Sequence, residues 1–169
     1  KKFIGMVCIN VLGPNGISYQ SKVRKADWSM DEKLNIAVEA AWKEWGFRRN
    51  SPDVTGKHSW ASLQEICMRT VARDGEVFVR LVNGFDNKHR FALQLIEPDA
   101  VSEDLNSELP GGHRIVMGVE VNPWGRPVAY HVTRRGTNDY SEWRAYQTRE
   151  RIPAEEMIHL FSPWRINQR

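Results

Sequence analysis

The clearest hydrophobic pattern in the chain is helical and covers residues 28 to 46. Apolar residues recur there every three or four positions, which gives a helix one apolar face. The predicted face consists of Leu34, Val38, Ala41, Trp42 and Trp45. Ser29 and Glu32 have the spacing of a capping box, and Gly46 is a typical residue to follow the last helical turn. These features predict an amphipathic helix.

A second amphipathic helix is predicted over residues 59 to 74, and Gly75 ends it. Its apolar face consists of Leu63, Ile66, Cys67, Thr70 and Val71. The apolar segment at residues 3 to 12 is too short to distinguish a strand from the end of a helix, so both interpretations stay open. Loose alternation after the turn at residues 13 to 16 predicts a strand over residues 17 to 23.

Beyond the second helix the spacing of apolar residues changes from helical to alternating. Strands are predicted over residues 76 to 82 and 91 to 97, and we expect them to form an antiparallel pair. A second hairpin joins residues 115 to 121 to residues 127 to 133, with Trp124 in the turn between them.

The remaining segments complete the predicted fold. The acidic segment at residues 97 to 112 is predicted to be an exposed loop, and a weak pairing is predicted around residues 141 to 148. A short acidic turn precedes a final strand over residues 157 to 161. We therefore predict one α+β domain over residues 1 to 169, in which two amphipathic helices pack on mostly antiparallel sheet and hairpins.

Composition supports a globular chain, because 41% of its 169 residues are hydrophobic and 27% are charged. Apolar runs are far shorter than the roughly 20 residues that a membrane-spanning helix requires. The net charge of +3 is a mild bias, but its distribution is uneven. Residues 97 to 108 carry five carboxylates and no base, whereas residues 134 to 151 carry five arginines and three acids. Such patches are solvated surface or meet across a subunit boundary.

Neither the cysteines nor the histidines have the spacing of a metal site. Cys8 and Cys67 are interpreted as small buried hydrophobes in a reducing compartment, with a disulfide as the alternative. The histidines are scattered: His58, His89, His113, His131 and His159. Position 1 is Lys, no signal-peptide cleavage pattern follows, and no Gly or Pro stop precedes Arg169, so we expect a fragment or a processed product.

Two groups resemble catalytic residues superficially. Asp74 and Glu76 flank Gly75 at a helix-to-strand junction, where we interpret both acids as solvated rather than as an acid–base pair. His159, between two apolar residues, is interpreted as a strand position rather than as a general base. No nucleophile elbow, phosphate loop or zinc-protease motif occurs. The sequence predicts no catalytic, cofactor-binding or metal-binding residue, no cofactor and no enzymatic activity.

An alternative function is a basic nucleic-acid-binding domain, because tryptophans interleaved with arginines can offer stacking platforms beside phosphate-binding charges. The residues concerned are Trp28, Trp42, Trp45, Trp60, Trp124, Trp143 and Trp164, with Arg48, Arg49, Arg126, Arg144 and Arg165. Trp42 and Trp45 fall on the predicted buried face, and Trp28 and Trp60 stand at helix starts, where aromatic residues often pack. Trp124 is therefore predicted to be the exposed one, and such a turn more often contacts another subunit than a base.

Six short blocks, in their order and spacing, resemble the lambda family of tailed-phage portal proteins, although none is specific alone. They are Val11-Leu-Gly-Pro-Asn-Gly-Ile17; Trp42-Lys-Glu-Trp45 with Asp53 and Gly56; Asp74-Gly-Glu-Val-Phe-Val79; Leu93-Gln-Leu-Ile-Glu-Pro-Asp99; Gly118-Val-Glu-Val-Asn122 with Gly125-Arg-Pro-Val-Ala-Tyr130; and Ile152-Pro-Ala-Glu-Glu-Met-Ile-His-Leu-Phe161 with Arg165, Gln168 and Arg169. Asn167 departs from the family, which usually has Gly there, and the family signature is not completed before the chain stops.

The resemblance implies that this chain is the wing of a portal subunit, a head–tail connector of a phage or prophage. Such subunits form a dodecameric ring at one capsid vertex of the virion after assembly in the bacterial host cytoplasm. The implied partners are other portal subunits, the terminase, capsid and head–tail joining proteins, and double-stranded DNA that passes through the ring. The resemblance implies no catalysis, since ATP hydrolysis belongs to the terminase. It also implies that the N-terminal helices, stem, clip and crown are absent, and no DNA-contact residue is carried over.

Overall fold

The computed structural model describes residues 2–13, 16–133, 149–163 and 165. This part of the chain contains three α-helices and eight strands, which confirms the predicted α+β class. The chain divides into two compact units, one formed by Lys1–Arg73 and Val82–Gln94 and the other by Asp74–Leu81 and Leu95–Arg169. The interpretation of residues 1 to 169 as one domain stays a prediction.

The helices α1 (Lys2–Leu12), α2 (Glu32–Trp45) and α3 (Trp60–Asp74) lie in the first unit. The open choice at residues 3 to 12 is thus decided in favour of a helix. The strand predicted over residues 17 to 23 is wrong. Instead of a neighbouring strand, side chains of the helices accept hydrogen bonds from the backbone N–H groups of this segment: Gln64 from Ile17, Glu39 from Ser21 and Asn35 from Val23.

Helix α2 differs from its prediction at the cap and in the face that it buries. The cap is Asp31, whose Oδ1 accepts a hydrogen bond from the Leu34 N–H at 3.0 Å. The predicted capping box is wrong, because the Ser29 hydroxyl donates to Asp27 instead, at 2.6 Å. The predicted face is also partly wrong. The chain before the helix packs on the side that carries the buried Asn35. The buried face is therefore rotated relative to the predicted one, and Leu34 and Ala41 are exposed.

Helix α3 confirms its prediction, since Leu63 and Thr70 are buried and Gly75 follows with a positive φ of 90°. The other three residues of its predicted face are half-buried. The buried core of this unit combines apolar side chains from the helices with two from the strand β2, and consists of Cys8, Leu12, Trp45, Leu63, Ala92 and Leu93.

The strands β1 (Glu76–Asn83), β2 (Phe91–Ile96) and β8 (Met157–Phe161) form a three-stranded sheet in the order β2-β1-β8. This order confirms that the two predicted neighbours pair, and the final strand has its predicted bounds. Within the second unit β1 and β8 run antiparallel, and Phe78 lies opposite His159.

A five-stranded antiparallel sheet in the order β3-β4-β5-β6-β7 occupies the second unit. Its strands are β3 (Ser107–Glu108), β4 (Arg114–Val116), β5 (Val119–Val121), β6 (Pro127–Thr133) and β7 (Arg149–Pro153). The strand predicted over residues 115 to 121 is wrong, because Met117 and Gly118 have positive φ and turn the chain between β4 and β5. β7 was not predicted, and the pairing expected at residues 141 to 148 lies outside the described residues.

The core of the second unit combines buried side chains of both sheets with one from the acidic segment. It consists of Phe78, Ile96, Val101, Val119, Val121, Tyr130, Val132, Ile152 and Met157. The acidic segment is largely exposed, as predicted, but Val101 within it is fully buried and anchors it. Short 3-10 turns complete the described chain at Arg48–Asn50, Pro98–Ala100, Pro110–Gly112 and Ala154–Glu156.

Candidate functional site

The strongest convergence of charged groups surrounds Glu120 in the middle of the five-stranded sheet. Strand β5 holds Glu120 beside β6, and β6 in turn pairs His131 with Arg151 of β7. Arg151 donates to both carboxylate oxygens of Glu120, from Nε at 2.7 Å and from Nη2 at 2.9 Å. His131 Nε2 lies 3.3 Å from Oε2, and His113 Nδ1 lies 3.8 Å from Oε1. The result is a bidentate ion pair with two imidazoles at its edge.

The environment of Glu120 fixes its charge. Only 6% of the residue is exposed, yet the hydrogen bonds from Arg151 outweigh burial and lower the pKa of Glu120 to about 2. The same bonds raise the pKa of Arg151. A general acid or base works best with a pKa near the ambient pH, so this carboxylate is suited to holding strands together rather than to moving protons.

The structure brings together two residues that the sequence singled out separately, Glu76 and His159. Strands β1 and β8 place their side chains so that His159 Nε2 lies 2.7 Å from Glu76 Oε2. The imidazole stacks on Phe78 with ring centroids 4.2 Å apart and lies 4.4 Å from the ring of Phe161. Burial, followed by the charge of Glu76, raises the pKa of Tyr130, whose ring meets the imidazole edge-on. This packing is that of a buried polar pair within an aromatic core, and the absence of a catalytic role stays a prediction.

A further ion pair joins β1 to β7 in the second unit. Arg80 of β1 is 3.0 Å from Glu150 of β7 and 3.6 Å from Glu156, which belongs to the turn before β8. These side chains are only partly exposed, so the guanidinium joins three elements of the second unit.

In the first unit the tryptophans pack on one another. The ring of Trp42 lies 4.9 Å from that of Trp45 and 5.5 Å from that of Trp60, and Tyr19 covers it at 5.1 Å. The indole N–H of Trp45 donates to the carbonyl oxygen of Phe91 at 3.0 Å. These three rings therefore serve the core of the unit, which confirms the interpretation of Trp42 and Trp45 as packing residues.

Two tryptophans are displayed instead of one. Trp124 is 92% exposed in the turn after β5, which confirms its prediction, and Asn122 Oδ1 holds that turn by accepting from the N–H groups of Trp124 and Arg126. Trp28 is 76% exposed, so its predicted packing at the helix start is wrong. Its φ of 65° lies in the left-handed region rather than in the right-handed helical one. Trp143 and Trp164 lie outside the described residues.

Other possible sites are not supported by the geometry. No group of three or more His, Cys, Asp and Glu side chains is placed to hold a metal ion in the described chain. Cys8 and Cys67 are free thiols rather than a disulfide, and burial raises the pKa of Cys67 to about 11. Across the same residues no helix is both long and apolar enough to cross a bilayer.

Sequence reasoning missed the Glu120 cluster, although one signal was present. A carboxylate between Val119 and Val121 in an alternating segment is a charged residue at a position flanked by core residues. Such a group needs a cationic partner. Its partner Arg151 lies in β7, which was not predicted, so the pair could not be named.

Comparison with known proteins agrees with the resemblance in the sequence blocks. The model of a family described as phage portal protein, lambda family, matches residues 1–169. The probable portal protein of Halomonas phage phiHAP-1 is 41% identical over 168 residues, which cover 99% of this chain and 32% of that relative. The chain thus spans about a third of the length of the curated relative that it matches. With the family match extending over its whole length, the chain belongs to the lambda family of phage portal proteins.

Proposed function

We propose that this chain is the wing part of a portal subunit and that its function is structural. The observation that carries the proposal is the family match over the entire chain, together with a 41% identical relative named as a probable portal protein. In the assembled virion the chain would sit in a dodecameric ring at one capsid vertex. Double-stranded DNA enters and leaves through this ring, which also meets the terminase, capsid and head–tail joining proteins.

The charged groups of the second unit support a structural rather than a catalytic role. Arg151 of β7 neutralises Glu120 of β5 across the intervening β6, and Glu76 of β1 lies within hydrogen-bond distance of His159 on the neighbouring β8. Breaking either contact removes a partner from a partly buried polar group, so each contact holds its strands in one register. A subunit of a ring that withstands the passage of DNA benefits from strands that cannot slip.

The arrangement of the aromatic residues does not favour the nucleic-acid-binding alternative. A stacking platform needs an open ring face, whereas Trp42, Trp45 and Trp60 cover one another. The modest net charge of +3 also suits a wall of a DNA passage. Each neutralised phosphate adds affinity through counterion release and would slow the movement of DNA.

Negative-stain imaging and native mass spectrometry of the complete polypeptide that carries these residues test the proposal. Closed rings of identical subunits are the expected result, and uniform monomers under assembly conditions would contradict it. Filter binding of duplex DNA to the present chain over a series of salt concentrations tests the alternative. Micromolar or tighter binding at about 150 mM salt, with a steep salt slope, would favour a nucleic-acid-binding domain.

A further inference from the structure

The loop between Val23 and Asp31 is a tightly hydrogen-bonded turn that displays Trp28. The Asp31 N–H donates to the Val23 carbonyl at 3.0 Å, and the Trp28 N–H donates to the Lys25 carbonyl at 3.0 Å. The Trp28 carbonyl accepts a hydrogen bond from Nη1 of Arg24 at 2.9 Å. The loop is therefore ordered by its own backbone, and 76% of Trp28 is exposed at its end.

The backbone conformation of Trp28 lowers the stability of the fold. Its φ of 65° lies in the left-handed region, which Gly or Asn adopts readily and a bulky residue adopts only under strain. An exposed indole at such a position gains little from packing within its own unit. Strained residues of this kind are found where the side chain serves a purpose outside the fold, such as binding.

The middle of the helix that follows the loop exposes apolar residues. Leu34, Ala37 and Ala41 follow one another at helical spacing and are all exposed, and Ile36 is 68% exposed. The only charged residue between Lys33 and Lys43 is Glu39, which turns inward and accepts a hydrogen bond from the Ser21 N–H. Apolar residues exposed together on one surface are typical of a site that contacts a partner.

Exposed apolar side chains are concentrated in the same part of the chain. Of the 17 exposed large hydrophobic residues in the described structure, 11 lie between Phe3 and Ile36. Nucleic-acid interfaces are strongly positive and polar, whereas the core of a protein–protein interface is apolar and rich in aromatic residues. A protein surface is thus the partner that the chemistry favours.

The charges around this surface indicate which protein surface it meets. Lys22, Lys25 and Lys33 are exposed around the loop, and none forms an ion pair with another described residue. The chain also carries a complementary group: five exposed carboxylates that form no ion pair within the described chain. They are Glu97, Asp99, Glu103, Asp104 and Glu108. In a closed ring each subunit presents two different surfaces to its two neighbours, so two complementary patches on one chain meet between copies.

We propose that Trp28, Met30 and the outer side of α2 contact a second copy of this chain, and that the three lysines face the acidic segment of that copy. This inference rests on the proposed ring and names the surfaces through which neighbouring subunits meet. Trp28 acts as the aromatic anchor, and the lysines form a polar rim that orients it.

The test is ring assembly by the complete polypeptide, measured by native mass spectrometry over a range of subunit concentrations. Trp28→Gly should raise the concentration needed for assembly at least tenfold, as expected for an aromatic anchor. The same substitution should leave the melting temperature of the unassembled subunit unchanged or higher, since Gly accepts a φ of 65° without strain. A residue with a merely structural role would not show this combination.

Charge reversal identifies the partner surface. Lys22→Glu with Lys25→Glu, and separately Glu103→Lys with Asp104→Lys, should each weaken assembly about tenfold, and a chain with all four changes should recover most of it. Lys57→Glu, an exposed lysine of the same unit outside the loop, is the matched control and should assemble normally.

Each contrary result has a distinct meaning. Wild-type assembly by Trp28→Gly and by the lysine reversals would overturn the proposed contact while the ring itself stands. A lower melting temperature of the unassembled Trp28→Gly subunit would show that the indole is covered by its own polypeptide. If a variant forms intact rings that retain less DNA than the wild type, the substituted residues contact nucleic acid instead. A four-residue variant that does not recover would exclude the acidic segment, and monomeric wild-type protein would instead refute the proposed function.

Discussion

Replacing Glu120 by Gln should make the five-stranded sheet less sensitive to acid. The bidentate contact with Arg151 lowers the pKa of Glu120 from 4.5 to about 2, a difference that corresponds to about 3 kcal/mol. Because the folded-state pKa is the lower one, this stabilisation is complete above about pH 4.5 and is lost as the pH falls toward about 2. The difference in unfolding free energy between wild type and Glu120→Gln should therefore shrink by about 3 kcal/mol over that window.

Urea unfolding followed by far-UV circular dichroism, at several pH values from about 6 to about 2, measures this difference. The matched control is Glu65→Gln, which removes an ion pair with Arg69 whose side chains are 50% and 57% exposed. An exposed pair is worth less than about 1 kcal/mol, so the control should lose little stability at any pH. If the wild-type and Glu120→Gln curves stay parallel between about pH 5 and about pH 2, Arg151 does not hold the charge of Glu120 and the account of the cluster is wrong.

The remaining substitutions are tested by thermal or urea unfolding. Gly118→Ala should lower the unfolding free energy by about 2–4 kcal/mol, since its φ is 79° and a Cβ would come within 2.9 Å of the fully buried Val101. The control Gly111→Ala, with φ 75° but open space around it, should lower it by only about 1 kcal/mol. Equal losses would show that the contact with Val101 is unimportant. Trp42→Ala should cost about 3–5 kcal/mol through loss of the aromatic cluster, and an unchanged melting point would refute that packing. Asp31→Ala should cost about 1 kcal/mol as the true helix cap, and a larger loss for Ser29→Ala would restore the predicted capping box.

Local sequence patterns predicted an element correctly where contacts between residues close in the sequence determine its structure. Helix α3 has its predicted bounds to within one residue, because its apolar spacing and the positive φ of Gly75 agree. Strand β8 also has its predicted bounds, and its inward residues Met157, His159 and Phe161 alternate with the exposed Ile158 and Leu160. In α3 propensity, spacing and burial point to the same element, which is when sequence reasoning is most reliable.

Tertiary contacts explain the errors elsewhere. The face of α2 was mispredicted because the buried position is Asn35, whose amide donates to and accepts from the backbone of Val23. A hydrophobic pattern assigns such a residue to the surface. The β4–β5 turn was missed for a similar reason, since Gly118 is required by its closeness to Val101, a residue from a segment that looked like a plain loop. The Glu120 pair was missed because it depends on residues far apart in the sequence.

Two of these errors share one location, and this coincidence bears on function. Trp28 was expected to pack at a helix start and Leu34 was expected to face the core, yet both are exposed on the loop and helix of the first unit. Natural sequences depart from local rules mainly where a residue serves binding or catalysis rather than folding. A strained, displayed Trp28 beside an apolar helix surface departs from two such rules. Since the family to which the chain belongs consists of portal proteins, the departures are explained if this surface is covered by a neighbouring subunit.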